Sequence, residues 1–573
     1  MPECRLFSRY VLPFMASNMY VRIEAGEALV VDPQPAEAAC AALVSAGVGR
    51  VLILRYPGGS EAAYESVTLP KLKIIARVAH PAGTRQALCV RRAPSGLESE
   101  KVNTMLWNVS AFDERPALLL EDGTMTYREL RAAAEQVAAP VLPRALVFLL
   151  ARNSLAAIAG YVGFLQRRIV PVMVDAALDE ELLTALRAAY RPSYAWVPAT
   201  RAAAFAGREI LRQAAYVLLD LQEQDPFPLH EDLALLMPTS GSTGSPKLVR
   251  QSYANLAANT ASIVDYLQIG AKDRAVTNLP LHYVYGLSVL NTHLAAGASV
   301  VVTERTLFDR AFWQLCRAHG VTNLNGVPYT YAMLKRLRFF DMELPALRMM
   351  TQAGGKLDPE LHAAFAEYAA RTGRAFFVMY GATEATARMG YLPAADAMRK
   401  TGAMGIAIPG GRFELVDEAG GVIEAEDTVG ELVYYGANVT MGYAMSGADL
   451  VLGDTRGGRY ETGDLARRDA DGYYTVVGRK RRFLKLFGKR TNLQEVEHIL
   501  RHHFGDIDVA CAGRDDHLYT FVTDAGVAAE IVSFLSQKLG IHRSAFAVKC
   551  IAAIPKNPSG KTVYRELEQY YDV

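Results

Sequence analysis

The chain has few of the features that mark secreted, zinc-binding or nucleic-acid-binding proteins. Its 573 residues include only six cysteines, and no two of them form a Cys-x-x-Cys pair. The sequence therefore predicts neither a disulfide framework nor a zinc site, and we expect a cytoplasmic protein with reduced cysteines. The formal net charge is only +1, which argues against a nucleic-acid partner.

Long uncharged stretches are scarce as well. The longest span without Asp, Glu, Lys or Arg runs from Ala275 to Thr303, and it contains Asn278, His282 and His293. These polar side chains are unfavourable in lipid, so we expect the span to be protein core and expect no membrane span.

From about residue 104 onward, short apolar runs alternate with Ala-rich amphipathic segments. This alternation predicts an α/β fold with mostly parallel sheets covered by helices. The expected strands are Ala145–Leu150, Ile169–Val174, Leu233–Met237, Ala298–Thr303 and Phe376–Met379, and the expected helices include Asp179–Tyr190 and Pro359–Arg371. Near Arg412, short apolar runs between Gly-rich and acidic turns indicate a small β-subdomain.

The most informative segment directly follows the expected strand Leu233–Met237. Residues 239–247 read Thr-Ser-Gly-Ser-Thr-Gly-Ser-Pro-Lys, with five hydroxyls, two glycines and one lysine. Hydroxyls and glycine amides can surround phosphate oxygens, and the lysine adds a positive charge. The spacing is not that of a Walker loop, Gly-x-x-x-x-Gly-Lys-[Ser/Thr]. Taken alone, the segment could also be a Ser/Gly-rich linker.

Four further motifs follow this loop in order along the chain. They are Tyr380-Gly-Ala-Thr-Glu384, Tyr460-Glu-Thr-Gly-Asp464, the basic stretch Gly478–Gly488 and Pro555-Lys-Asn-Pro-Ser-Gly-Lys561. Together the five resemble the successive core motifs of the adenylate-forming superfamily, which includes acyl-CoA synthetases, peptide-synthetase adenylation domains and luciferases. The resemblance covers residues 104–573.

The resemblance implies three domains. Residues 1–102 would be an N-terminal α/β extension of unknown role, and residues 103–478 an adenylation core that binds ATP and the acyl group. Residues 479–573 would form a small, mobile α+β domain that carries the catalytic lysine.

The resemblance also implies a site for ATP and Mg²⁺. Tyr380 offers an aromatic face for adenine, Asp464 a short carboxylate for the ribose diol, and Glu384 a hard oxygen ligand for magnesium. Thr383 would donate to the α-phosphate, and Arg479 would contact the ribose or the phosphates. Each residue taken singly is better explained as core or as a cap, but the ordered set favours the site. The other residues implied in nucleotide binding are Thr239, Ser240, Gly241, Ser242, Thr243, Gly244, Lys247, Gly354, Gly355 and Gly381.

Lys561 is expected to serve catalysis. A carboxylate that attacks the α-phosphorus approaches an anionic centre, and a lysine between the two neutralises the repulsion and orients the attack. The resemblance places the hinge of the mobile domain at Arg481, where the family usually has Asp or Lys. The stretch Arg479–Arg490 holds seven basic residues in twelve, which could receive a CoA phosphate or an acidic carrier protein, or form a solvated face.

The segment Pro280-Leu-His-Tyr-Val-Tyr-Gly286 resembles the family segment where an aromatic or His side chain guards the acyl pocket and the pantetheine tunnel. Tyr283 falls at this gate, and a one-residue slip of the alignment would exchange it with His282. Val284 falls where amino-acid-activating members carry an Asp for the substrate ammonium, so we expect an acid without an α-amino group. The other residues expected at the acyl pocket are Asn325, Gly326, Tyr329 and Ala353, with Gly354 and Gly381.

The sequence thus favours an AMP-forming acid–thiol ligase. Such an enzyme would convert a small carboxylic acid to acyl-AMP, release pyrophosphate, and pass the acyl group to the phosphopantetheine thiol of CoA or of an acyl carrier protein. One alternative is an adenylate former that acylates an amine or a hydroxyl. Another is a non-catalytic nucleotide-binding scaffold, against which the retention of Glu384, Asp464 and Lys561 argues.

The N-terminal residues carry a separate pattern. Residues 18–33 read as a hairpin, followed by a helix over Ala36–Ala46 and a strand over Val51–Leu54. This order resembles the opening of a metallo-β-lactamase fold. Where that family has its His-x-His-x-Asp-His motif, the chain has Tyr56-Pro-Gly-Gly-Ser-Glu, so we expect no catalytic metal there.

Overall fold

A computed structural model describes residues 109–571 apart from 239–246, 418, 480–481, 487–488, 506, 515 and 558–559. Side chains are described for these residues except 109, 483, 485, 489, 490, 492 and 495. Five N-terminal strands are described by their backbone alone. The chain divides into two compact units, Met1–Val102 and Asn103–Val573.

The five described strands of the N-terminal unit form one sheet. In spatial order they are Tyr20–Glu24, Glu27–Val31, Arg50–Arg55, Gln86–Arg91 and Lys73–Ala79. The first two pair antiparallel, as the predicted hairpin requires, and the second runs parallel to Arg50–Arg55. The helix expected over Ala36–Ala46 and the segment from Tyr56 to Glu61 lie outside the described residues.

Two large sheets dominate the second unit. The nine-stranded sheet has six neighbouring parallel strands and antiparallel strands at both edges. In spatial order its strands are Ile406–Ala407, Gly390–Leu392, Ala375–Tyr380, Met349–Gln352, Asn323–Gly326, Arg274–Val276, Ser299–Val301, Pro116–Leu120 and Gly123–Thr126. The strand expected over Ala298–Thr303 is therefore present but shorter.

The eight-stranded sheet has four neighbouring parallel strands. In spatial order its strands are Arg208–Gln213, Tyr216–Asp220, Tyr194–Pro198, Leu146–Ala151, Val170–Asp175, Leu233–Pro238, Leu248–Ser252 and Gly442–Ala444. The last two strands add an antiparallel edge, which brings Leu248–Ser252 close to residues more than 190 positions further along the chain. The predicted parallel α/β fold is confirmed.

Helices cover these sheets. The α-helices among the described residues are Tyr127–Ala138, Leu155–Gln166, Glu180–Tyr190, Tyr253–Leu267, Val284–Ala295, Arg310–Ala318, Pro328–Arg336, Pro359–Thr372, Leu493–Phe504 and Ala525–Leu539. Val284–Ala295 is buried along almost its whole length, as a helix that is apolar all round should be. The expectation that the uncharged span forms core is therefore confirmed. Among the described residues, no helix is long and apolar enough to cross a membrane.

Smaller sheets follow towards the C-terminus. The predicted β-subdomain is an antiparallel sheet of Gly411–Val416, Gly430–Gly436, Arg459–Arg468 and Tyr474–Arg479. A two-stranded ladder, Phe483–Leu486 with Lys489–Asn492, and a sheet of Val509–Arg514, His517–Val522 and Phe546–Cys550 come next. The 3₁₀ helices are Val109–Phe112, Ala199–Ala204, Phe339–Asp341, Thr383–Ala385, Ala394–Asp396, Gly447–Val451, Arg543–Ala545 and Tyr564–Tyr570.

Candidate active site

Asp464 is the centre of a polar cluster built from two sheets. Tyr380, the last residue of its strand, donates its hydroxyl to Oδ2 of Asp464, and Nε of Arg479 donates to Oδ1 at 2.8 Å. Asp464 and Arg479 are direct partners in the antiparallel ladder. Asp464 is 5 % exposed, whereas the Arg479 side chain is 62 % exposed. The carboxylate is thus fixed by two donors and keeps lone pairs for hydroxyl ligands such as a ribose diol.

The Asp464 carboxylate helps to keep both Arg479 and Tyr380 protonated. The charge of Asp464 raises the pKa of Arg479, so the guanidinium stays protonated. Burial raises the pKa of Tyr380, and the Asp464 carboxylate adds to that shift, so the phenol remains a hydrogen-bond donor.

Glu384 lies on the 3₁₀ helix Thr383–Ala385 and is held by a residue that the sequence did not reveal. The hydroxyl of Tyr443 donates to Oε1 of Glu384 at 2.7 Å, and the backbone N–H and Oγ1 of Thr440 donate to the Glu384 carbonyl at 3.0 and 2.9 Å. Burial raises the pKa of Tyr443 to about 12. Thr383 itself is buried. Among the residues that the structure describes, no lysine or arginine forms an ion pair with this carboxylate, which is held by the Tyr443 hydroxyl.

Lys247 also contacts Tyr443. Its Nζ lies 3.4 Å from the centroid of the Tyr443 ring, a cation–π geometry. Strand Leu248–Ser252, which starts after Lys247, pairs with strand Gly442–Ala444. The end of the hydroxyl-rich loop and the Glu384 motif therefore meet at one aromatic ring. Thr239, Ser240, Gly241, Ser242, Thr243 and Gly244 lie outside the described residues.

The backbone after Glu384 makes a strained turn. Thr386 has φ +65° and ψ −62°, and the N–H of Ala387 donates to the carbonyl of Ala385 at 2.7 Å. This is a γ-turn with a positive φ at its central residue, a rare and strained conformation. A Cβ at Gly381 would overlap the carbonyl oxygen of Ala387. Glycine at 381 is thus required by close backbone packing, whatever its role towards a nucleotide.

Lys561, near the C-terminal end of the chain, lies within electrostatic range of the same cluster. Burial lowers its pKa, the charge of Arg479 lowers it further, and the carboxylates of Asp464 and Glu384 oppose the shift. Its backbone is held by Asn557, whose Oδ1 accepts from the Lys561 N–H at 2.9 Å and whose N–H donates to the Lys561 carbonyl at 2.8 Å. Residues from four motifs that are far apart in sequence therefore contribute to one site.

A buried carboxylate supports the lysine-bearing segment. Glu497 accepts hydrogen bonds from Nη2 of Arg482 at 2.8 Å, from the Cys511 N–H at 2.7 Å and from the Tyr564 hydroxyl at 3.2 Å. The guanidinium of Arg482 also lies 3.7 Å from the Tyr564 ring centroid. Burying charges is tolerated when each has partners of this kind. Arg481, the predicted hinge, lies outside the described residues.

The two candidates for the acyl gate, Tyr283 and His282, have different surroundings in the structure. Tyr283 precedes helix Val284–Ala295, and its hydroxyl lies 2.6 Å from the point where a Cβ on Gly354 would stand. His282 instead places Nε2 3.6 Å from Oδ2 of Asp175, and burial lowers its pKa. Tyr283 is therefore the side chain that borders the glycine turn at residues 354–355.

The predicted acyl-pocket residues do not share one environment. Val284 lies in an apolar cluster, and the Ala353 N–H donates to the Gly326 carbonyl at 3.1 Å. Asn325 lines a cavity. Tyr329 is 54 % exposed and borders Gly560, next to Lys561. Tyr329 therefore lies at the surface, beside the lysine-bearing segment.

Among the described residues, no group of three or more His, Cys, Asp or Glu side chains could hold a metal ion. A single carboxylate such as Glu384 nevertheless fits Mg²⁺, because this ion usually keeps several waters and takes its remaining ligands from nucleotide phosphates.

The chain is similar in sequence to known proteins. The family model described as "AMP-binding enzyme" matches residues 106–444. A sulfoacetate–CoA ligase of Cupriavidus necator is 33% identical over 347 residues, which span 59% of this chain and 67% of that protein. An indoleacetate–CoA ligase of Aromatoleum aromaticum is 29% identical over 362 residues, spanning 61% and 69%.

Solved structures share the fold. O-succinylbenzoate coenzyme A synthetase of Bacillus subtilis, in complex with ATP and magnesium ion, superposes with a TM-score of 0.64 at 23% sequence identity. The match covers 81% of this chain and 99% of that one.

Proposed function

Because the chain belongs to the AMP-binding enzyme family, we propose that it is an AMP-forming acid–thiol ligase. The observation that carries this proposal is the cluster in which Tyr380 and Arg479 both donate to Asp464, with the Lys561 ammonium within electrostatic range of the same residues. A cation at this point can accompany a carboxylate as it approaches the α-phosphate of ATP.

In the first half-reaction, a carboxylate oxygen of the acid attacks the α-phosphorus, and the bond from that phosphorus to the bridging oxygen breaks. Pyrophosphate leaves with the electron pair, and acyl-AMP remains. Asp464 would bind the ribose hydroxyls, Tyr380 would face the adenine, and Lys247 with the loop 239–244 would bind the leaving phosphates. Magnesium, held by Glu384 and the phosphates, would neutralise part of their charge.

In the second half-reaction, the sulfur of a phosphopantetheine thiol attacks the acyl carbon. The carbon–oxygen bond to AMP breaks, AMP leaves with the electron pair, and the thiol proton passes to solvent. We propose CoA as the acceptor, which the CoA ligases among the relatives favour. An acyl carrier protein is the second candidate, because the basic stretch Arg479–Arg490 could receive its acidic surface.

We also propose the division into residues 103–478 and a mobile domain of residues 479–573, with the hinge at Arg481. A cytoplasmic location is our proposal too, supported by the free thiols of Cys316, Cys511 and Cys550.

The test is acid-dependent pyrophosphate release with ATP and Mg²⁺ across a panel of carboxylic acids, followed by thioester analysis with CoA or a loaded carrier protein. Asp464→Asn should abolish release. Asp341→Asn, which removes an exposed partner of Arg338, should leave it unchanged. Pyrophosphate release followed only by amide or ester formation would support the alternative acceptors, and ATP binding without any release would support a scaffold.

A further inference from the structure

A buried arginine, Arg388, lies behind the acyl gate without an anionic partner. It is 3 % exposed, and its guanidinium carbon lies 3.9 Å from the ring centroid of Tyr285. Among the described residues, no carboxylate lies within ion-pair distance of Arg388, and its Nε has no hydrogen-bond partner. Its guanidinium interacts with the hydroxyl of Tyr266. A buried charge is normally paired, so this one calls for a ligand.

A second unused donor faces the same cavity. Arg388 and Asn325 both line it, and Nδ2 of Asn325 has no hydrogen-bond partner. The hydroxyl of Thr351 donates to Oδ1 of the same amide at 2.7 Å. In this orientation Nδ2 faces the cavity as an unused donor.

The other polar groups of the cavity are already satisfied by the protein. Ser288 donates to the Tyr285 carbonyl at 2.7 Å, Thr292 donates to the Ser288 carbonyl at 2.8 Å, and His293 Nδ1 contacts the Val289 carbonyl at 2.8 Å. The remaining lining is aliphatic or thioether side chains: Ile263, Leu267, Ile269, Val289, Met349 and Met379. The cavity thus offers two free donors, one of them cationic, in an apolar wall.

The cavity adjoins the gate. The Tyr285 ring that Arg388 contacts has its centroid 6.4 Å from that of the Tyr283 ring, and Tyr283 borders Gly354. The two methionines can move aside at low cost, because thioether chains are flexible. The open space is only about that of one water molecule, so a small terminal group would enter as these side chains move aside, and a bulky ring would not fit.

We propose that the substrate carries a second oxyanion group, a carboxylate or a sulfonate, at the end opposite the activated carboxylate, and that Arg388 and Asn325 bind it. This inference rests on the proposed ligase function and narrows its substrate class to doubly acidic molecules. Arginine suits the role because its planar donors match the oxygens of such groups and its charge does not titrate.

The experiment compares matched acids in pyrophosphate release: butyrate with succinate, valerate with glutarate, and 3-sulfopropionate as the sulfonate arm. The wild type should prefer the doubly acidic member of each pair. Arg388→Met should lower kcat/KM for that member by about 100-fold, and change the value for the monoacid by less than about threefold. Arg388→Lys should recover part of the activity. The control is Arg338→Met, an exposed arginine outside the cavity.

Asn325→Asp provides an independent variant. A carboxylate at 325 would pair with Arg388 inside the protein, so the preference for doubly acidic substrates should vanish while the fold survives. Thermal melting with a non-hydrolysable ATP analogue should show succinate or glutarate stabilising the wild type but not Arg388→Met. This binding readout does not depend on turnover.

The outcomes are distinct. A wild-type preference for the monoacids, together with no stabilisation by diacids, would overturn the inference and leave the ligase proposal intact. An equal loss for all acids in Arg388→Met, with a lower melting temperature, would make the arginine structural and overturn it as well. No pyrophosphate release with any acid would instead refute the proposed function. The melting data would then show separately whether Arg388 binds an anionic group.

Discussion

Lys561→Ala should separate the two half-reactions. The lysine is influenced by two carboxylates and by Arg479, and burial lowers its pKa, so its charge acts where water screens it only partly. Two unit charges about 4 Å apart interact by about 4 kcal/mol at an effective dielectric constant of about 20. Losing one preorganised charge that stabilises a transition state costs about 10²–10³-fold in rate. We expect acyl-AMP formation to slow by that factor.

Rapid-quench measurement of pyrophosphate gives the first rate. Thioester formation from chemically prepared acyl-adenylate and CoA gives the second, which Lys561→Ala should leave within about threefold of wild type. The pH profile adds a further check. Because the pKa of Lys561 is lowered, its charge is lost at a lower pH than usual, and adenylation should decline as pH rises through that value. Lys561→Arg, which stays charged, should remove this alkaline limb. Equal slowing of both half-reactions would refute the role assigned to Lys561.

Three more changes have defined outcomes. Tyr443→Phe removes the 2.7 Å hydrogen bond to Glu384, and such a bond to a charged acceptor is worth about 1.5–3 kcal/mol. The kcat/KM for Mg-ATP should therefore fall at least about 10-fold. An unchanged Mg²⁺ dependence would contradict this. Gly381→Ala should lower the free energy of unfolding in urea by about 3 kcal/mol or more, because the new Cβ would overlap the backbone carbonyl of Ala387. Gly270→Ala is the control, because the space around Gly270 is open, and it should change stability little. Arg481→Pro should form acyl-AMP normally but transfer it slowly to CoA, since a stiffened hinge restricts rotation; normal transfer would argue against the hinge.

Much of the fold was predictable because apolar runs report burial directly. Strand Leu233–Pro238 and helix Val284–Ala295 are buried almost throughout, and both appear in the sequence as continuous apolar segments. Patterns of this kind are local, so one sequence is enough to find them. The lengths of elements were harder to predict, since the strand expected over Ala298–Thr303 spans only Ser299–Val301.

The site was predictable only where its residues belong to ordered motifs. Tyr380, Glu384, Asp464 and Lys561 could be singled out in this way. Tyr443 could not, because its contact with Glu384 spans 59 residues and nothing near it signals the pairing. Arg388 was also missed, since an arginine is normally expected at the surface and only the packed structure shows its burial.

The pairing of Asp464 with Arg479 across their ladder restricts the insertions and deletions that the turn between their strands can tolerate. The turn that joins their strands is closed by Asp469, whose carboxylate accepts from the backbone N–H groups of Asp471 and Tyr473. A slip of one residue across the ladder would turn Arg479 to the opposite face. We therefore expect homologues that keep the Asp464–Arg479 pair to preserve the length of residues 469–473, while the exposed turn at residues 424–429 tolerates insertions.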